Sequence, residues 1–131
     1  MTDTKYNTGP NALRRGRWSV PGANYFVTVC LEPRASRLLP CIGQTLLAEA
    51  QVMTNEAVWT TRCFTVMPDH FHVLFTLGRT RTLSQCIARL KVRTQPLLAA
   101  QDASWQDNFY DHQLRPADSD ETTLRYIWLN P

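Results

Sequence analysis

The chain has 131 residues, enough for one domain with a true core. Hydrophobic residues make up 44% and charged residues 19%, which excludes a disordered composition, and no apolar run approaches the ~20 residues that cross a bilayer. The formal net charge of +3 conceals an asymmetry: residues 1–100 carry twelve Lys and Arg against five Asp and Glu, whereas residues 101–131 carry two against six.

Twelve of the fourteen basic residues are arginines. The planar guanidinium fork suits bidentate contacts to phosphate, and a basic body with an acidic end piece fits a nucleic-acid partner. No apolar targeting segment follows Met1–Lys5. Cys30, Cys41, Cys63 and Cys86 form no CxxC pair and sit in or beside apolar runs. They read as reduced core residues of a cytoplasmic protein, not as a zinc site or a disulfide framework. No membrane association is expected.

Residues 1–21 form an arm punctuated by Gly and Pro and centred on Arg14, Arg15, Arg17 and Trp18. Three arginines and an indole can grip phosphates and stack on a base, or can simply be solvated with the indole tucked onto the domain. After the Pro21-Gly22 turn, residues 24–31 are rich in β-branched and aromatic side chains and predict a strand. A connection to Pro40 follows, in which Leu38 and Leu39 are expected to pack inward. From about residue 44 to residue 59 the period becomes helical, with Leu46, Leu47, Ala50, Met53, Ala57 and Val58 as candidate core.

Residues 62–67 predict a second strand, and Pro68-Asp69 a bend. Beyond the bend Phe71, Val73 and Phe75 alternate with His72, Leu74 and Thr76, the period of a strand. Residues i and i+2 of a strand share a side and lie roughly 6.6 Å apart. His70 and His72 can therefore turn toward one point and make a partial metal site. They can equally be polar residues on the solvated face of an edge strand.

A second helix is expected from Thr82, because Thr82 and Gln85 have capping-box spacing. Leu83, Ile87, Leu90 and Thr94 mark one face; Arg89, Lys91 and Arg93 lie on the other sides, with Arg81 at the start. This basic surface is either a solvated face or a phosphate-binding one. Pro96 is expected to end the helix or lie just beyond it.

The second half of residues 105–115 reads as an extended segment. Tyr110, Asp111 and His112 look catalytic as a triplet, but neighbours on a strand face opposite ways. Tyr110 is therefore set aside as a nucleophile, while His112 is structural or DNA-adjacent and Arg115 can hold a phosphate. A final helix opens at Asp118, with Glu121 three residues on, and buries Leu124, Ile127 and Trp128. Tyr126 and Asn130 stack at i and i+4 on its other face. By itself that placement describes a surface tyrosine.

The element order predicts an α+β domain: a ferredoxin-like or RRM-like split βαβ antiparallel sheet with two packed helices and an additional C-terminal helix. Residues 25–29, the stretch Val66-Met67-Pro68-Asp69-His70-Phe71-His72-Val73-Leu74, the segment from Trp105 to Arg115 and the ending Tyr126-Ile127-Trp128-Leu129-Asn130-Pro131 resemble the insertion-sequence 200-like transposases. More narrowly, they are similar to the REP-associated tyrosine transposases. The resemblance runs from about residue 22 to residue 131, which makes 22–131 the catalytic domain of the HUH type.

What this resemblance implies is specific. His70 and His72 match the metal-binding histidines, Tyr126 the nucleophile and Asn130 a third ligand, with Mg²⁺ or Mn²⁺ as the cofactor. The implied partner is single-stranded DNA in REP-like hairpins, cleaved and rejoined through a 5′-phosphotyrosine. A monomer is expected rather than a dimer. Relatives usually continue past the NP with a basic or glycine-containing segment. The competing readings are a catalytically inactive hairpin DNA- or RNA-binding module and a hydrolase that uses water instead of tyrosine.

Overall fold

A computed structural model describes residues 19–33 and 36–114. The arm residues Arg14, Arg15, Arg17 and Trp18, and Arg115, Tyr126, Asn130 and the expected final helix, lie outside the described residues.

The first strand, β1 (Asn24–Glu32), puts Tyr25, Val27, Val29 and Leu31 into the core, each at most 1% exposed. Helix α1 (Pro40–Asn55) starts earlier than the apolar period predicts. Leu39, its N-cap, makes no side-chain cap bond, and Pro40 supplies a helical φ at the first position instead. The helix also ends sooner. Ala57 adopts φ 61°, the Ala57 N–H donates to Thr54 O and the Val58 N–H donates to Met53 O. This is a Schellman end built on alanine, and it frees Val58 and Trp59 to leave the helix.

Strands β2 (Trp59–Val66) and β3 (His70–Leu77) form an antiparallel hairpin, with a register shift between Thr61 and Cys63. The expected bend at Pro68-Asp69 is the hairpin turn, closed by the Met67 N–H on His70 O. Two further backbone bonds pin this turn. The Leu31 N–H donates to Asp69 O at 2.9 Å, and the Leu38 N–H donates to Pro68 O at 2.7 Å. Leu38 packs against the core as expected, but Leu39 is 49% exposed.

Helix α2 (Leu83–Ala99) opens on the predicted capping box: the Gln85 N–H donates to Thr82 Oγ1, and the Thr82 N–H donates to Gln85 Oε1. Pro96 does not end it; the helix runs on to Ala99. An internal proline costs about 3 kcal/mol, and burial offsets it. Leu98 is fully buried, and Trp105 Nε1–H donates to Thr94 Oγ1, which itself donates to Leu90 O. Two short strands complete the described residues, β4 (Ser104–Trp105), unforeseen in the sequence, and β5 (Tyr110–Gln113).

The sheet order is β2-β3-β1-β4, with β5 also pairing β1, and every pairing is antiparallel. This is the split βαβ arrangement. The inner side chains of β1 and β3 join Ile42, Leu46 and Met53 of α1 and Leu83, Ile87 and Leu90 of α2 in one core cluster. Glu49 is buried too, and it pairs with Arg89 and Arg93 to lock α1 to α2. Cys30 and Cys86 are buried as expected, whereas Cys41 is exposed on the first turn of α1, outside its apolar stripe. Among the described residues, no helix is long and apolar enough to cross a membrane.

Candidate active site on the sheet face away from the helices

Alternation along β3 decides what the sheet face away from the helices carries. Phe71, Val73 and Phe75 are fully buried in the core, so His70, His72 and Leu74 project from the opposite side of the sheet. Register then supplies neighbours. His72 lies between Thr28 of β1 and Thr65 of β2, and His70 lies opposite Cys30.

The two imidazoles converge. Their Nε2 atoms are 3.2 Å apart, with the rings nearly perpendicular at 76°. Each Nδ1 is held from behind. His70 Nδ1 lies 2.7 Å from Asp69 Oδ1, and His72 Nδ1 lies 2.8 Å from Thr28 Oγ1. Asp69 reaches its neighbour because it sits in the hairpin turn, where strict alternation no longer applies. Phe26 covers the flank of His72, with ring centroids 5.2 Å apart. His72 is only 7% exposed, and burial, reinforced by the His70 charge, lowers its pKa from 6.5 to about 4. At neutral pH it is an uncharged imidazole.

These contacts constrain the protons. An ionised carboxylate only accepts, so the Asp69 contact puts a proton on His70 Nδ1, and in the neutral ring the lone pair is on Nε2. A threonine hydroxyl either donates or accepts. Thr28 can therefore support His72 with its proton on Nε2, donating to His70, or on Nδ1, leaving a second lone pair beside the first. In the second state the pair is a ready bidentate donor set. Two bonds of about 2.1 Å span about 3.0 Å at a right angle and about 3.4 Å at the tetrahedral angle. The observed 3.2 Å falls between these limits. The residues thus fit a divalent ion with room for further ligands. No group of three or more His, Cys, Asp or Glu side chains that could hold a metal occurs among the described residues.

The basic residues of α2 are in the other layer. Arg89 pairs with Glu49 and with Glu56, the latter at 3.0 Å. Lys91 Nζ donates to Gln106 O at 2.8 Å and lies over the Phe109 ring. Arg93 is 3.3 Å from Glu49 yet 61% exposed, and Arg81 is exposed. The structure does not bring these four to the histidines, because the helices cover the opposite side of the sheet. Sequence reading overlooked Asp69 and Thr28 as supports. An acidic residue directly before a histidine is a usable signal for Asp69. Thr28 is 44 residues from His72, and only strand register reveals it.

An antiparallel split βαβ sheet with a supported pair of imidazoles on the face away from its helices is the class of domain defined here. The chain belongs to the IS200-like transposase family, whose pattern matches residues 19–128. Members of that family are DNA-processing enzymes. The fold is similar to that of a REP-associated tyrosine transposase bound to a REP hairpin, at 24% identity and a TM-score of 0.69, over 88% of this chain and 70% of that one. It is also similar to a protein assigned as a transposase from Deinococcus radiodurans R1, at 15% identity and a TM-score of 0.57, over 88% of this chain and 95% of that one. Both are likenesses of fold. No curated protein matches significantly.

Proposed function

We propose that the domain is a metal-dependent single-stranded DNA endonuclease and strand transferase, acting at REP-type hairpins through a 5′-phosphotyrosine. The observation that carries this reading is the His70–His72 pair, with its Nε2 atoms 3.2 Å apart and each Nδ1 supported from behind. Family membership and the hairpin carried by the structurally similar transposase support the choice of substrate.

In this reading His70 and His72 hold the ion and Asn130 completes the protein ligands. A divalent ion bound there, Mg²⁺ or Mn²⁺, withdraws charge from a non-bridging phosphate oxygen. Imidazole ligands favour Mn²⁺ of the two. Tyr126 Oη attacks phosphorus in line, the bond to the 3′ oxygen breaks, and the 5′ phosphate stays on the tyrosine. The hydroxyl proton leaves to a base or water, and the departing 3′ oxygen gains one. Attack by a 3′-hydroxyl on the phosphotyrosine reverses the step and rejoins the strands without another energy source.

Phosphate contacts are assigned to Arg14, Arg15, Arg17 and Arg115, and to Arg81 and Arg93 on the helical side, with Trp18 stacking on a base. Arg81 and Arg93 would touch DNA away from the scissile phosphate. Arg89 and Lys91, already engaged within the domain, would contribute field rather than contact. The acting unit is a monomer.

The test is a labelled hairpin incubated with protein and Mn²⁺, run on denaturing gels with and without protease. Wild type should give a protease-sensitive adduct. Tyr126→Phe should lose adduct and cleavage together while keeping hairpin binding, and Tyr110→Phe should keep both. Cleavage without an adduct would replace the tyrosine by water. Binding without cleavage would leave a hairpin-binding module.

A further inference from the structure

We propose that Tyr110 and His112 form a base-stacking platform that holds the single-stranded DNA beside the phosphate engaged at His70 and His72. This rests on the function proposed above and adds the part of the site that grips the bases.

The inference begins with register. Strand β5 pairs with β1 antiparallel, with Tyr110 opposite Thr28 and His112 opposite Phe26. On its other side β1 pairs with β3, with Thr28 opposite His72 and Phe26 opposite Leu74. Directly opposed residues of antiparallel strands share a face. His72, Thr28 and Tyr110 therefore make one row across the sheet, and Leu74, Phe26 and His112 make the next. Tyr110 and Asp111 do face opposite ways, as strand geometry requires, but the side that Tyr110 takes is the histidine side.

Burial agrees with this placement. Along β5 exposure alternates, with Tyr110 and His112 exposed and Asp111 and Gln113 half-buried. Asp111 turns to the helical layer, where its charge helps raise the pKa of the buried Tyr25 phenol, after the larger effect of burial. Tyr110 keeps 49% of its surface accessible, beside a face whose centre, His72 and Leu74, is buried. Two rings thus lie open at the rim of the candidate active site, on a strand that edges the sheet among the described residues and whose other side chains are half-buried.

Distance sets what these rings can touch. Two strand spacings of about 4.8 Å place the Tyr110 backbone roughly 10 Å from that of His72. That span is about three nucleotide steps of a stacked strand at ~3.4 Å each, and fewer if the strand is extended. A strand with its phosphate at the histidines therefore brings a nearby base over Tyr110. Rings at i and i+2 are about 6.6 Å apart, too far to share one base, so His112 takes the next. Every base has a π-face, so the platform grips without reading sequence. It requires the ring of Tyr110 and not its hydroxyl.

The test uses hairpin oligonucleotides carrying 2-aminopurine at successive unpaired positions, titrated with the full chain. Stacking on an aromatic ring quenches this fluorophore. Wild type should quench it at one position or two adjacent ones. Tyr110→Ala should abolish the stronger quench and weaken binding by about 5- to 150-fold. Tyr110→Phe should keep both, and His112→Ala should lose only the adjacent quench. Thermal melts of each variant establish that the fold is intact. Wild-type affinity and quenching in Tyr110→Ala would overturn the platform. Equal losses in Tyr110→Phe and Tyr110→Ala would also overturn it, by assigning the role to the hydroxyl. If quenching behaves as expected while no protein forms an adduct, the platform stands and the transferase chemistry falls.

Discussion

Replacing Thr28 by valine tests the proton arrangement behind the imidazole pair. Valine keeps the shape of threonine and removes the hydroxyl that His72 Nδ1 meets, 2.8 Å away. Without metal His72 can keep its proton on Nε2 and donate to His70 across 3.2 Å, so that only a lone pair on Nδ1 faces the valine. Metal binding forces the other tautomer. The Nδ1–H then points at a methyl group in a site where His72 is 7% exposed. Binding a cation strengthens Nδ1–H as a donor, so its loss outweighs that of the bare lone pair, and Mn²⁺ affinity should fall by about 10- to 100-fold, as for lost supporting contacts at other metal sites. Calorimetric titration of wild type, Thr28→Val and Thr28→Ser with Mn²⁺ measures this. Serine keeps a hydroxyl and should bind within a few fold of wild type. A valine isotherm matching wild type would refute the tautomer argument, and loss of binding in both variants would trace the effect to packing instead.

Three further predictions concern the rest of the fold. A Cβ added at Gly78 would lie 2.5 Å from Ala57 O and 2.6 Å from Val58 O, both backbone atoms, so Gly78→Ala should cost at least ~2 kcal/mol in urea unfolding. Ala57→Gly, at φ 61°, should stabilise by about 0.5–1 kcal/mol, read as a raised melting temperature. His72 is neutral in the folded state down to a pKa of about 4, against 6.5 when unfolded. Its contribution is therefore complete above pH 6.5 and lost as pH falls toward 4, with an upper limit of about 3 kcal/mol. Unfolding at pH 7 and pH 4.5 should show a larger drop for wild type than for His72→Gln, and equal drops would refute the assignment.

The features legible in the sequence were those set by short-range pattern. Phe71, Val73 and Phe75 alternate cleanly, so β3 and the outward direction of its histidines followed directly. Thr82 and Gln85 announced the start of α2 because a capping box is a local device. The start of α1 was hidden because Leu39 caps nothing, and its end because Ala57 takes a left-handed conformation usually marked by glycine. Pro96 misled because the burial of Leu98 and the bond from Trp105 to Thr94 are tertiary effects. The support of His72 by Thr28, and the shared row with Tyr110, exist only once three strands are in register. The helical arginines read as one basic surface, and the buried Glu49 that engages two of them carries no mark in the sequence.

The residue between the histidines has a consequence of its own. Phe71 is fully buried, stacked on Phe64 at 5.2 Å and met edge-on by Trp105 at 5.3 Å. The backbone that carries both imidazoles cannot shift without drawing that ring out of the core, and the Asp69 and Thr28 contacts hold each imidazole on it. An ion with bonds of about 2.1 Å would fit the 3.2 Å gap at an angle of about 100°. An ion with bonds of about 2.4 Å must ride farther out, at about 84°. At the proposed metal site, discrimination between ions would then become height above the sheet: a larger ion would carry its phosphate away from a nucleophile set at a fixed level.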